Sequence, residues 1–384
     1  MRYVVIGASA AGISAVQKLR ECSPEAEITL ISKDTEVYSR CILYHYLDGS
    51  RTLEEMNFAG IDFASRLHVR WLKGTEAVSV NIKNKTVRTD QNSEIPYDKL
   101  CIASGSRTNF PPIPGLREGK NIIGFRDLSD AQKIKHAIQN AEHIFVMGAG
   151  LIGIDVVAGL LEWGKKIYLA DLGPYMMPTQ LDAYTANVYQ TLFYEKGVEQ
   201  YYGMGAREFV LDEHGNCRQV VLQDGTELPA DLVINCAGVR ANVEFLAGSG
   251  IECDKCGLVI DEYGRTNVED VFGAGDVTGR SLVWPAAVRE GMTAAYAMSG
   301  LFKKQADYFT EKASMYFLDI PTVSVGKVNH YDDTFEETII KTSESYKKIV
   351  RKDNMIVGAL LQGDISASGK LAEAVRLKNS FIPS

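Results

Sequence analysis

The chain opens on a short uninterrupted apolar run, Tyr3-Val4-Val5-Ile6, the pattern of a strand buried on both faces. Gly7-Ala8-Ser9-Ala10-Ala11-Gly12 follows, leading into a helix predicted through about Arg20, and Glu27–Ser32 reads as a second strand. About 140 residues later the order repeats. His143–Met147 is again a strand, running into Gly148-Ala149-Gly150-Leu151-Ile152-Gly153, a helix to about Trp163, and a strand Lys166–Ala170 that ends at Asp171. Both stretches predict a βαβ unit opening on a glycine-rich turn, so the chain is α/β with two nucleotide-type folds.

The glycines answer three demands: a tight turn, close approach of backbone to a pyrophosphate, and a helix packed hard on its strand. The N–H groups at the helix start then face the phosphates. The first turn departs from G-x-G-x-x-G, with Ser9 at the middle position. Asp171 stands where a carboxylate takes the ribose hydroxyls and repels a 2′-phosphate, which favours NADH over NADPH, and Gly153 in place of alanine points the same way. After the first turn, Ser32-Lys33-Asp34 offers Asp34 for the comparable task, with the register open by a residue.

Composition narrows the classes. The chain has 384 residues, 46% hydrophobic and 23% charged, which is globular and enough for two or three domains. A net charge of −8 argues against nucleic acid or an anionic membrane as the main partner. Seven scattered cysteines suggest reduced thiols and a cytoplasmic location. No apolar run is long enough to span a bilayer. The apolar start reads as a strand ending in a glycine turn, without a cleavage site after it.

Two further segments give these folds a family likeness. Ile102-Ala103-Ser104-Gly105-Ser106 resembles the A-T-G turn that joins two nucleotide domains. Thr266–Asp276, ending Phe272-Gly273-Ala274-Gly275-Asp276, resembles the T-x5-hydrophobic-A-x-G-D motif whose aspartate reaches the FAD ribityl chain. Together with the two glycine turns, the order resembles the pyridine nucleotide-disulfide oxidoreductase superfamily over essentially the whole chain. Within it, Tyr38-Ser39-Arg40-Cys41-Ile42-Leu43 with Leu47-Asp48-Gly49 looks like the Y-S-R-P-x-L…L-x-G stretch of NADH:rubredoxin and ferredoxin reductases. Pro111–Gly115, Arg126-Asp127-Leu128 and the stretch from Ile320 to Asp364 point to the same group, and the flavin part of NADH nitrite reductase large subunits looks alike.

The resemblance implies a split FAD domain at 1–115 and 243–305, an inserted NAD domain at 116–242, and a small α+β C-terminal domain at 306–384. It implies cofactor contacts from Gly7, Ser9, Ala10, Ala11, Gly12, Asp34, Arg40, Ala77, Ala103, Ser104, Gly105, Arg126, Gly275, Asp276 and Trp284. Gly148, Gly150, Leu151, Ile152, Gly153, Asp155, Asp171 and Gly238 complete that set, Asp155 standing where the family carries a glutamate near the nicotinamide. The implied activity is hydride transfer from NADH to FAD, with electrons passed singly to an iron–sulfur or rubredoxin-like protein. A homodimer or a place in a larger redox complex is the expected assembly.

Cys41 opens a second reading. It replaces the proline of rubredoxin reductases and falls at the redox cysteine of NADH peroxidases, NADH oxidases and coenzyme A disulfide reductases. The histidine that peroxidase and oxidase relatives carry in the first glycine turn is here Ala10. His45, four residues on, is a candidate to tune the flavin. A third reading is a flavin-bound module whose redox state controls association. Cys253-Asp254-Lys255-Cys256 is expected in a surface turn before a strand Leu258–Ile260, without ligands to complete a metal site. His68, His136, His143, His214 and His330 suggest no triad or cluster.

Overall fold

The structure, a computed structural model, describes residues 1–304, 312–329 and 332–377. His330 lies outside the described residues, as do parts of the 306–384 segment. The chain forms two compact units: Met1–Thr108 with the described residues from Val239 to 304, and Asn109–Gly238 with the described residues from 312 on.

The first unit is built on a five-stranded parallel sheet, ordered Val271–Gly273, Lys99–Ile102, Arg2–Ile6, Glu27–Ser32, Val69–Lys73. The apolar run at the start of the chain is continuous because both faces are covered. Tyr3 and Val5 enter one core cluster with residues of the helices Ala10–Cys22 and Trp284–Met298. Val4 and Ile6 enter another with Val80, Val87 and Ile95 of a three-stranded antiparallel sheet. The two helices pack closely through small residues, and a Cβ on Gly291 would lie 2.1 Å from the Ala11 carbonyl oxygen.

The second unit repeats the plan, with a parallel sheet ordered Val198–Tyr202, Lys166–Asp171, His143–Met147, Leu232–Asn235, Ile122–Gly124. It also carries an antiparallel five-stranded sheet, ordered Lys312–Phe317, Ile320–Gly326, Met355–Gln362, Tyr346–Lys352, Phe335–Lys341. Helix Ser368–Leu377 covers that sheet with Leu371, Ala372 and Ala374. Buried polar groups tie it to helix Ala183–Glu195. The Tyr189 hydroxyl donates to the Ile320 carbonyl at 2.8 Å and shares a 2.7 Å hydrogen bond with Thr322 Oγ1. The Tyr346 hydroxyl donates to Asp182 Oδ2 at 2.6 Å, and Asp182 also caps the helix by accepting from the Thr185 N–H.

Two local expectations shift. The second glycine-turn helix is α-helical only over Leu151–Leu160, then tightens into a 3-10 turn, Leu161–Trp163, which Gly164 stops at φ 63°. Leu258–Ile260 forms no strand beyond an isolated bridge of Leu258 to Cys253, because the Leu258 N–H is spent on the Val277 carbonyl. Removing the Tyr189 hydroxyl (Tyr189→Phe) leaves its buried partners short of a bond and should cost about 1–3 kcal/mol, read as a lower urea midpoint with an unchanged slope.

Candidate functional site

Each unit places one glycine turn between its central strand and the following helix, and the two turns match closely. A Cβ on Gly12 would lie 1.8 Å from the Gly7 carbonyl oxygen, and a Cβ on Gly153 the same distance from that of Gly148. Gly7 and Gly148 adopt φ values of 108° and 107°. A Cβ on Gly7 would meet Ala103 O at 2.1 Å, and one on Gly148 would meet Cys236 O at 2.6 Å. First and last glycines are thus required by the chain itself.

The middle position is different. Gly150 is extended, at φ −75° and ψ −177°, and a Cβ there would meet nothing within 4 Å. Ser9 stands in the same extended state, at φ −110° and ψ −163°, without strain. The serine that makes the first motif look degenerate therefore leaves its geometry whole. In each helix the first hydrogen bond comes from the fourth residue after this position, Ile13 to Ser9 and Ile154 to Gly150. The N–H groups of Ala10, Ala11 and Gly12, and of Leu151, Ile152 and Gly153, are left by the helix for an outside acceptor. A row of helix N–H groups left over in both units, with open space over Gly150 in the second, fits a dinucleotide pyrophosphate.

The strand ends separate the two sites. Met147 pairs with Ala170, which puts Asp171 next, and its carboxylate accepts the Ala149 and Gly173 N–H groups, each at 2.6 Å. Ile6 pairs with Ile31, which puts Ser32, not Asp34, at the matching place. Asp34 lies two residues further, where its carboxylate takes Arg40 at 2.8 Å and the Tyr38 hydroxyl at 3.2 Å. Arg40 is therefore engaged with Asp34 in a partly buried ion pair.

The other expected residues fall in both units. In the first, Ser104 and Asn242 exchange two side chain–backbone bonds, at 2.8 and 2.9 Å, beside Gly105 at φ 69°. Ala77 is buried and Ala103 follows the strand Lys99–Ile102. Asp276 follows Gly275, which has φ 80°, and accepts from Ser106 Oγ at 3.1 Å. Trp284 starts its helix with Phe58 edge-on at 4.7 Å. Cys41 is an exposed cysteine outside any disulfide, in the turn Arg40–Ile42. His45 Nδ1 lies 2.7 Å from Ser50 Oγ and 3.3 Å from Asp48 Oδ2.

In the second unit, the Arg126 N–H donates to Asp130 Oδ2 at 2.9 Å, at the capped start of a helix, and Gly238 has φ 83°. Asp155 keeps some exposure as a residue, but its carboxyl is enclosed, and burial pushes it up to about 8. Burial, with Asp155 and Asp130 nearby, also pushes the Cys236 thiol up. Cys253 and Cys256 are exposed in a turn, where Asp254 accepts from the Cys256 and Gly257 N–H groups. Among the described residues no group of three or more His, Cys, Asp or Glu could hold a metal, and no helix is long and apolar enough to cross a membrane.

Sequence reasoning missed Ser106, Asn242 and Glu290. The first two bond to segments more than a hundred residues away. Glu290 did carry a signal, a carboxylate at helical spacing among Ala286, Ala287, Gly291 and Ala294.

Residues 1–291 match the family model for pyridine nucleotide-disulphide oxidoreductase, and residues 314–379 match that for the rubredoxin NAD+ reductase C-terminal domain. The chain is 28% identical to a nitrite reductase [NAD(P)H] of Bacillus subtilis over 386 residues, covering 98% of this chain and 47% of that one. It is 29% identical to an NADH oxidase of Enterococcus faecalis, covering 72% and 63%. It spans about half the length of the first of these. Among solved structures, NADH:rubredoxin oxidoreductase from Clostridium acetobutylicum superimposes with a TM-score of 0.79 at 22% identity, covering 100% of this chain and 96% of that one, and so shares the fold.

Asp155 supplies a pH test. Its acid form is favoured in the folded chain and its ionised form in the unfolded chain, so its contribution is complete below about pH 4 and is lost as pH rises toward 8. Urea midpoints of Asp155→Asn should show less decline than those of the parent between pH 5 and 8; parallel curves would contradict this.

Proposed function

The chain belongs to the pyridine nucleotide-disulphide oxidoreductase family, whose members bind FAD and NADH, and from that premise we propose that it is an NADH-dependent flavoprotein reductase serving a ferredoxin- or rubredoxin-like protein. The observation that carries the choice of acceptor is the match of residues 314–379 to the rubredoxin NAD+ reductase C-terminal domain. We read the segments 1–115 and 243–305 as the FAD domain, 116–242 as the NAD domain and 306–384 as the C-terminal domain. A flavin supplies the conversion of a two-electron hydride into single electrons.

The residues then take these roles. In the first unit the N–H groups of Ala10, Ala11 and Gly12 hold the FAD pyrophosphate, Asp276 holds the ribityl chain, and Ser106 aims Asp276. Asp34, neutralised by Arg40, serves the adenosine end less directly than Asp171 does in the second unit. In the second unit the N–H groups of Leu151, Ile152 and Gly153 hold the NADH pyrophosphate, and Asp171 accepts from the adenosine ribose. Asp171 is already fixed by two backbone donors, so its charge sits where a 2′-phosphate would come. Asp155, largely in its acid form near neutral pH, is a hydrogen-bond donor on the same helix for the nicotinamide end.

A second reading keeps Cys41 as a redox thiol acting on a disulfide, persulfide or oxygen, and its exposure in the Arg40–Ile42 turn favours it. Ala10, where the oxidase and peroxidase relatives carry histidine, counts against the peroxide and oxygen branches.

Anaerobic stopped-flow reduction by limiting NADH separates the two. Full bleaching of the flavin with one equivalent, and reoxidation on adding ferredoxin or rubredoxin, is the expected result. A lasting long-wavelength thiolate-to-flavin band with a second NADH needed, abolished by Cys41→Ser, would overturn it. Asp171→Ala should raise the KM for NADH by about tenfold or more, the loss of charge-assisted hydrogen bonds, while that for NADPH changes less.

A further inference from the structure

Helix Trp284–Met298 buries a face of Ala286, Ala287, Gly291, Ala294 and Ala295, and one carboxyl stands among them. Glu290 keeps only 2% of its surface exposed. Its Oε2 accepts the Gly275 N–H at 2.7 Å and the Thr278 hydroxyl at 3.3 Å, so the helix is tied to both sides of the turn that carries Asp276. That turn is wedged in place, since a Cβ on Gly275 would lie 2.8 Å from the Ala11 Cβ in the first glycine turn.

The other oxygen is the anomaly. Glu290 Oε1 is buried with no hydrogen-bond partner among the described residues. A buried carboxyl oxygen left unmatched carries its full desolvation penalty, so a partner from outside the chain is called for. The charged groups that act on this carboxyl are Arg280, which favours the ionised form, and Asp276, which disfavours it. Arg280 is held by the Asp261 and Ile260 carbonyls. Burial, helped by Asp276, outweighs Arg280 and the hydrogen bonds from Gly275 and Thr278, and lifts the carboxyl to about 7. With Oε2 committed as an acceptor, the proton belongs on Oε1.

We propose that Glu290 is a positioning residue for the flavin cofactor, its Oε1–H donating to an oxygen that the bound cofactor brings in, directly or through one water that the cofactor holds. This rests on the flavin reading above. Binding then draws one proton from solvent onto the carboxylate, and no electrons move. Because the acceptor favours the acid form, linkage makes the flavin tighter below neutral pH and looser as pH rises through it. A water trapped at Oε1 regardless of the cofactor would give no such linkage.

The test dilutes flavin-loaded holoprotein between about pH 5.5 and 8.5 and follows released FAD by its fluorescence. For the parent the dissociation constant should rise about tenfold from pH 6 to 8, a slope bounded by one proton. Glu290→Gln retains an acceptor for Gly275 and Thr278 and offers a permanent N–H donor, so its profile should be flat and close to the parent's acidic value. Glu290→Ala should hold FAD about tenfold more weakly than the parent at its acidic limit, the loss expected for one hydrogen bond, with a profile flat in pH. A flat parent profile, or a Glu290→Gln profile that tracks a sloping parent, would overturn the proposal while leaving FAD binding in place. Protein that holds no flavin at any pH would overturn the flavin reading itself, and the proposal with it.

Discussion

The close approach of backbone to backbone at two glycine turns governs this chain. At Gly12 and Gly153 a single added carbon would fall within 2 Å of a carbonyl oxygen, too near for any side-chain motion to relieve. That contact sets each helix tightly on its strand and aims its first N–H groups away from the helix's own carbonyls. A Cβ on Gly291 would meet Ala11 nearly as closely, at 2.1 Å, so helix Trp284–Met298 of the first unit is fixed against the same element. Small residues here are structural necessities first, and the rows of open helix N–H groups follow as a consequence.

Charge is then placed sparingly around these turns. Asp171 is held by two backbone donors and needs no counterion to stay oriented. Asp34, in the first unit, is instead paired with Arg40 and displaced from the matching strand end. Asp276 receives the Ser106 hydroxyl, and Glu290 braces the turn around it, accepting from the Gly275 N–H on one side and the Thr278 hydroxyl on the other. Three carboxyl groups in one unit are thus each given a distinct electrostatic setting.

The antiparallel sheet of the second unit is attached by buried polar bonds as well as by the packing of Phe317 on Tyr189 and Phe193. Tyr189, Thr322, Gln362, Tyr346 and Asp182 form a buried network in which Lys348 lies 3.8 Å from Asp182 and 2.6 Å from Glu337. Such a network is costly unless every member is satisfied, and it fixes one docking geometry within the unit.

Much of the fold was legible in the sequence. Continuous apolar strands and repeated glycine turns announced two parallel-sheet units, because buried backbone and hard steric limits act over a few residues. Asp171 was legible for the same reason, standing at the end of a strand whose length the pattern defined. What lay beyond reach were relations between distant segments. No local rule says that Ser9 satisfies a glycine position; only its extended backbone, the same state as at Gly150, does. The place of Asp34 depended on strand register, the Leu258 backbone was claimed by Val277, and Ser106 found Asp276 across 170 positions. Glu290 showed itself in sequence as one carboxylate among alanines, yet its half-satisfied state exists only where the helix meets the Gly275 turn. Local sterics and periodicity are written along the chain, whereas hydrogen-bond satisfaction is a property of segments brought together, and only the tertiary structure decides it.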